Sequence, residues 1–123
     1  MILGIGIDVV AIERIAKTLA DGSFETRVFT PGERAACRDR ADRVQALAAR
    51  FAAKEACFKA LGTGLGQGVA FDRVEVIDVE GGRPDLRLTG SVAERAEALG
   101  VRRVHVTLSH ELEVAAAVVV LEG

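Results

Sequence analysis

Tryptophan and tyrosine are absent from this 123-residue chain, and it has only five phenylalanines. Any core must therefore be built mainly from Ala, Val, Leu and Ile. Half of the residues are hydrophobic, which is ample for that purpose. Cysteine is scarce too. Cys37 and Cys57 are too few and too far apart for a zinc site or a disulfide framework. Cys57 stands in an alanine-rich stretch and is expected to be a small core residue. An excess of positive charge is also missing. The net charge is −2 and the isoelectric point is near 5.7, which argues against a general nucleic-acid binder. No apolar run approaches the ~20 residues that span a bilayer. The apolar start lacks a basic flank and is broken by Asp8, so it does not fit a signal peptide. These absences point to a reduced, cytoplasmic protein, with residues 1–123 as one domain.

What is present is concentrated in one stretch. Arg50-Phe51-Ala52-Ala53-Lys54-Glu55-Ala56-Cys57-Phe58-Lys59-Ala60-Leu61-Gly62 places one carboxylate among three cations on an alanine-rich helix. At about 100° per residue, Glu55 and Lys59 lie one turn apart on the same side. Lys54 flanks that side, and Arg50 sits one turn before Lys54. Phe51 and Phe58 project near Glu55, so the carboxylate should lose water and seek a cation or a metal. An ordinary salt-bridged helix face fits the same residues.

The first ten residues, Met1-Ile2-Leu3-Gly4-Ile5-Gly6-Ile7-Asp8-Val9-Val10, form a buried strand pattern that ends in a lone acid. Gly4 and Gly6 leave two positions where a backbone or a ligand can approach closely. Asp8 suits two roles. It can cap a helix beginning near Val10. It can also be a hard metal ligand, with a helix carboxylate as its counterpart and with water and phosphate completing an octahedron around Mg2+.

Periodicity organises the rest. Ile12, Ile15, Ala16 and Leu19 predict a helix after the first strand. Thr30-Pro31-Gly32-Glu33 is a helix start, with a Thr cap, Pro at the first position and Glu at the third. The long helix is expected over about 41–61, stopped by Gly62. From Gly62 to Gly68, glycine occupies every second position. This run lacks the Gly-Lys-Ser/Thr ending of a P-loop and follows a helix, so it fits a loop beside the site and not a nucleotide fingerprint. Strands near 74–79 and 85–88 flank a turn at Gly81-Gly82-Arg83-Pro84. Ser91 and Glu94 suggest a capping box for a helix ending at Gly100. Val104, Val106 and Leu108 alternate with polar residues, which predicts a half-buried strand. Ala115–Leu121 is almost wholly apolar, so burial on both faces is expected, by this chain or by a neighbour.

Gly4-Ile5-Gly6-Ile7-Asp8 and Arg50-Phe51-Ala52-Ala53-Lys54-Glu55-Ala56-Cys57-Phe58-Lys59-Ala60 together resemble the holo-acyl-carrier-protein synthase family of 4′-phosphopantetheinyl transferases. Gly62-Thr63-Gly64, Gly82-Arg83-Pro84 and Val104-His105-Val106-Thr107-Leu108-Ser109-His110 extend the resemblance over nearly the whole chain.

The resemblance implies an α+β fold, a small antiparallel sheet packed with one long helix and shorter helices. It implies transfer of 4′-phosphopantetheine from coenzyme A to a serine of apo acyl carrier protein, with adenosine 3′,5′-bisphosphate leaving. Mg2+ would be held by Asp8 and Glu55, and Lys59 would contact phosphate. Asp8, Glu55 and Lys59 form the expected catalytic set, with the base either Glu55 itself or a water beside it. Arg43, Arg50 and Lys54 would serve phosphate groups nearby. Gly62, Gly64, Pro84 and His110 are further expected contacts to coenzyme A. Arg14 and Arg27 match basic positions that dock the acidic carrier protein. A homotrimer with shared sites is implied as well, with neither membrane nor nucleic acid as a partner. Two other classes fit the same residues. One is a trimeric Mg2+-nucleotide-binding module without catalysis, and the other is a metal-dependent pyrophosphohydrolase.

Overall fold

The computed structural model describes residues 1–62 and 70–123. The expected Gly64 contact therefore lies outside the described residues. Strand β1 (Ile2–Ala11) runs straight into helix α1 (Ile12–Leu19), followed by α2 (Gly22–Val28), α3 (Pro31–Cys37) and the long α4 (Arg43–Leu61). A short 3-10 turn at Phe71–Arg73 precedes the hairpin of β2 (Val74–Val79) and β3 (Arg83–Leu88). Helix α5 (Gly90–Leu99) and strands β4 (Arg103–Glu111) and β5 (Val114–Glu122) complete the chain.

All pairing among the described residues is antiparallel. One sheet has the order β1-β5-β4, and β2-β3 forms a second sheet of two strands. The α+β expectation holds, with the sheet divided in two. Helix α4 lies across the three-stranded sheet and is buried on nearly all sides, including Leu47, Ala52, Ala53, Ala56 and Leu61. A helix apolar all round belongs at the centre of a fold.

Two glycines set how closely the layers approach. A Cβ on Gly6 would lie 1.9 Å from the carbonyl oxygen of Ala56, and one on Gly4 would lie 2.1 Å from that of Ala60. Both separations are impossible for a side chain, so β1 rests its bare backbone on α4. The close approach the sequence allowed is to a helix backbone.

Several termini differ from expectation. Helix α1 is capped by Ala11 with no side-chain bond, so Asp8 is not its cap. Helix α5 starts at Gly90 after Thr89, again without a side-chain cap, so the Ser91–Glu94 box does not form. The box at α3 does form: Thr30 Oγ1 accepts from the Glu33 amide at 3.1 Å, and Glu33 Oε1 accepts from the Thr30 amide at 2.9 Å. Strand β5 alternates buried Ala115, Ala117, Val119 and Leu121 with half-buried Ala116, Val118 and Val120. Among the described residues, only its α4-facing side is fully covered.

Candidate active site

Gly4, Gly6 and Asp8 share one face of β1, since strand side chains alternate. With the two glycines seated on α4, Asp8 is carried to the same helix. Side chains on a helix lean towards its N-terminus, so Lys59 leans back to meet the aspartate. Lys59 Nζ donates to Asp8 Oδ1 at 3.1 Å and to the Ile7 carbonyl oxygen at 3.0 Å.

Glu55, one turn earlier, is only 8% exposed. Burial raises its carboxyl above the ordinary glutamate range, and the neighbouring Asp8 raises it further. Lys59 and Arg14 pull the other way. Asp8, Glu55, Lys59 and Arg14 thus form one electrostatic unit, assembled from β1, α4 and the exposed face of α1. A buried carboxyl whose proton affinity is raised further by a neighbouring acid calls for a cation between the two. Among the described residues no cluster of three or more His, Cys, Asp or Glu side chains is placed to hold a metal. Two carboxylates leave room for water and substrate oxygens, which suits Mg2+ better than a closed zinc site.

The other expected contacts divide. Lys54 needs correction: its side chain is 0% exposed. It donates to Glu33 Oε1 at 2.8 Å, to the Phe71 carbonyl at 3.0 Å and also to the Val74 carbonyl. Its three donors are spent inside the protein, so none is left for a phosphate. Burial pulls its ammonium below the ordinary lysine range, while Glu33 holds it up. Phe51 and Phe58 lie between Lys54 and Glu55 in helical phase, and both rings pack on Phe71, 5.6 Å away in each case.

Arg50 is also buried. Its Nη1 donates to the Ala46 carbonyl at 3.2 Å and its Nη2 lies 3.9 Å from Asp78. Its Nε is buried and has no hydrogen-bond partner among the described residues. Asp78 is the ladder partner of Pro84, so the β2–β3 hairpin brings Pro84 to the same side as Arg50.

Arg43 opens α4 and pairs with Glu25, which Arg34 also approaches at 3.4 Å. Those arginines hold the Glu25 carboxyl below its ordinary range, the Arg43 hydrogen bond most strongly. His110 comes within 3.7 Å of Asp42, next to Arg43. Arg43 and His110 therefore gather at the start of α4, about 18 Å along its axis from Glu55 at 1.5 Å per residue. Gly62 ends the helix in the left-handed conformation (φ 75°). Arg95 Nε and Nη2 grip the Leu61 carbonyl beside it at 3.3 and 3.2 Å. Arg27 is exposed on α2, its Nε donating to the Ser23 carbonyl at 3.2 Å. A cleft of about 550 Å³ opens between β3 and β4, lined by Arg83, Pro84, Arg102, Arg103 and His105 among others. Its lining includes none of Asp8, Glu55 and Lys59.

Glu25, Glu33 and Arg95 escaped the sequence reading. Only Glu33 left a signal there, as the third residue of a capping box, and that role uses only part of its bonding.

Residues 4–117 match the 4′-phosphopantetheinyl transferase superfamily. The chain belongs to that family. A holo-[acyl-carrier-protein] synthase of Methylobacterium radiotolerans is 51% identical over 129 aligned residues, covering 100% of this chain and 95% of the relative. One from Solidesulfovibrio magneticus is 50% identical, with 100% of both chains covered. Among solved structures, the holo-[acyl-carrier-protein] synthase of Neisseria meningitidis superposes with a TM-score of 0.90 at 34% identity, over 100% of both chains. The Helicobacter pylori synthase, solved in complex with coenzyme A, gives a TM-score of 0.83 at 32% identity, over 96% of this chain and 99% of that one. The phosphopantetheinyl transferase motifs Gly4–Asp8 and Arg50–Ala60 are the two segments that meet at Asp8, Glu55 and Lys59.

Proposed function

We propose that this phosphopantetheinyl transferase moves 4′-phosphopantetheine from coenzyme A to a serine of apo acyl carrier protein, in the cytoplasm and with Mg2+. The observation that carries the reading is the Asp8–Glu55–Lys59 cluster, in a chain about half identical, end to end, to holo-[acyl-carrier-protein] synthases.

The chemistry follows from these side chains. The serine oxygen attacks the β-phosphorus, the bond from that phosphorus to the bridging oxygen breaks, and adenosine 3′,5′-bisphosphate leaves with the electron pair. The serine proton goes to Glu55 or to a water beside it. Lys59 brings positive charge to the pyrophosphate oxygens. Arg50, and Arg43 with His110, supply anion contacts further along α4. Asp8 and Glu55 would hold the divalent cation, which when bound offsets charge on the pyrophosphate and its leaving group. Arg14 and Arg27 present the basic face for the carrier.

The active unit is a homotrimer in this reading. Ile5, Ile7 and Val9 are 65, 58 and 60% exposed. They sit beside Val120, Val118 and Ala116 of β5. This continuous apolar sheet face suits a second copy of the chain. The number three comes from the family resemblance. Sedimentation at assay concentration tests it, and a fully active monomer overturns it.

Incubation with coenzyme A and Mg2+, with and without apo carrier protein, tests the transfer. The bisphosphate should appear only with the carrier. Release without it would make the chain a pyrophosphohydrolase, and binding with no release a non-catalytic module.

A further inference from the structure

Glu33 and Lys54 are the only ionised pair among the described residues with both side chains 0% exposed. The transfer chemistry uses neither. Their hydrogen bonds nevertheless tie together three parts of the fold. Lys54 Nζ, on α4, donates to Glu33 on α3 and to the carbonyls of Phe71 and Val74. Glu33 Oε2 in turn accepts from the Val76 amide at 2.8 Å, and its Oε1 from the Thr30 amide at 2.9 Å.

A buried ion pair is weak evidence of stabilisation, because apolar side chains of equal volume often serve as well or better. An apolar pair, however, cannot fix hydrogen bonds to the start of β2. Those bonds tether one side of α4 at Lys54. Next in sequence, about 100° further round the helix, stands Glu55. On the side towards the three-stranded sheet, Ala56 and Ala60 touch the bare backbone of β1. The helix is therefore held at two points of its circumference, and together they fix its rotation.

We infer that Glu33 and Lys54 are positioning residues, whose pairing sets the rotation of α4 that presents Glu55 and Lys59 to Asp8. The inference rests on the transferase reading for its kinetic arm only.

The test is the double variant Glu33→Leu/Lys54→Met, which removes both charges and keeps an apolar fill. Its urea midpoint should stay near that of the parent. Its kcat should fall ~10–100-fold, as expected for a misplaced catalytic constellation, while KM for coenzyme A changes less than about twofold. A crystal structure of the variant should show the Glu55 carboxylate displaced relative to Asp8. Parental kcat in a folded double variant, or an unmoved Glu55, overturns the inference. A parent without transfer activity would sink the function and leave the crystallographic arm standing. Should the double variant fail to fold, Glu33→Gln takes both measurements. It keeps the shape of the side chain but removes the charge opposite Lys54, and the same displacement and kcat-selective loss are expected of it.

Discussion

Helix α4 carries two lysine–carboxylate contacts within two turns, and they are opposites. Lys54 meets Glu33 at 2.8 Å with both side chains sealed from water, and every lysine donor is taken. Lys59 meets Asp8 at 3.1 Å with the lysine side chain 55% exposed, and buried Glu55 stands by with its carboxyl pushed up by burial and by Asp8. The first contact is complete. The second has two acids against an open lysine and a rim arginine, and its charges are not balanced by sealed partners. The difference lies in saturation: a charge with all its partners inside the protein is architecture, and a charge still short of partners is a site.

The largest effect should come from the unsaturated side. Asp8→Ala and Glu55→Ala each remove one of the two carboxylates proposed to hold a divalent cation, whose charge stabilisation would be worth several kcal/mol. At ~1.4 kcal/mol per tenfold, kcat/KM should drop ~1000-fold or more, with circular dichroism and urea midpoint little changed. Full activity of either variant at low Mg2+ contradicts the assignment. Lys59→Ala should also lose activity, and added Mg2+ should not restore it.

Stability should show the reverse order. Lys54→Ala strands a buried carboxylate and should cost about 3–5 kcal/mol in urea unfolding. Lys59→Ala breaks a contact with an exposed lysine and should cost less than about 1 kcal/mol. Equal costs would erase the distinction between the two contacts.

A smaller effect tests the strain at Glu55. Its carboxyl is raised from the ordinary value of 4.5. An acid with a raised folded-state value adds stability that is complete below 4.5 and is lost as pH rises through the raised value. The metal-free fold therefore bears a growing penalty for Glu55 as the pH rises through that raised value. In EDTA, Glu55→Gln should be more stable than the parent at neutral pH, and the gap should close as the pH falls towards 4.5. A gap that widens in acid has the wrong sign.

How much of this was legible beforehand varies by residue. Gly4, Gly6 and Asp8 announced themselves, because two bare positions before a lone acid leave few physical options. The Glu55–Lys59 side of α4 followed from helical phase alone. Lys54 did not. It adjoins Glu55 in sequence, and nothing in the local pattern says that 100° of rotation turns a solvent-facing cation into a core one. That depends on the 3-10 turn and the start of β2, whose carbonyls at Phe71 and Val74 become neighbours only in three dimensions. Helix α2 escaped for a similar reason. At seven residues it is too short for a reliable apolar period, and Phe24 and Val28 show their inward face only against Phe29 and Phe51. The Ser91–Glu94 pattern came two residues too late, since Thr89 is the cap and Gly90 (φ 53°) already begins that helix.

The smallest effect concerns the rim. Arg14 is exposed on α1, yet close enough to Glu55 to lower its proton affinity. It can therefore act in two ways: as a landing charge for an acidic carrier, and as part of the field at the base. Arg14→Glu separates them. Loss of a landing charge slows encounter, so KM for the carrier should rise several-fold more than KM for coenzyme A, and added salt should shrink the difference. Reversal of the field at Glu55 should instead move the acidic limb of the kcat–pH profile upward, because a new negative neighbour favours the protonated base. Saturating carrier abolishes the first effect and leaves the second. A variant whose two KM values rise equally would place Arg14 inside the pocket, among the phosphate contacts, and would strip the site of its docking residue.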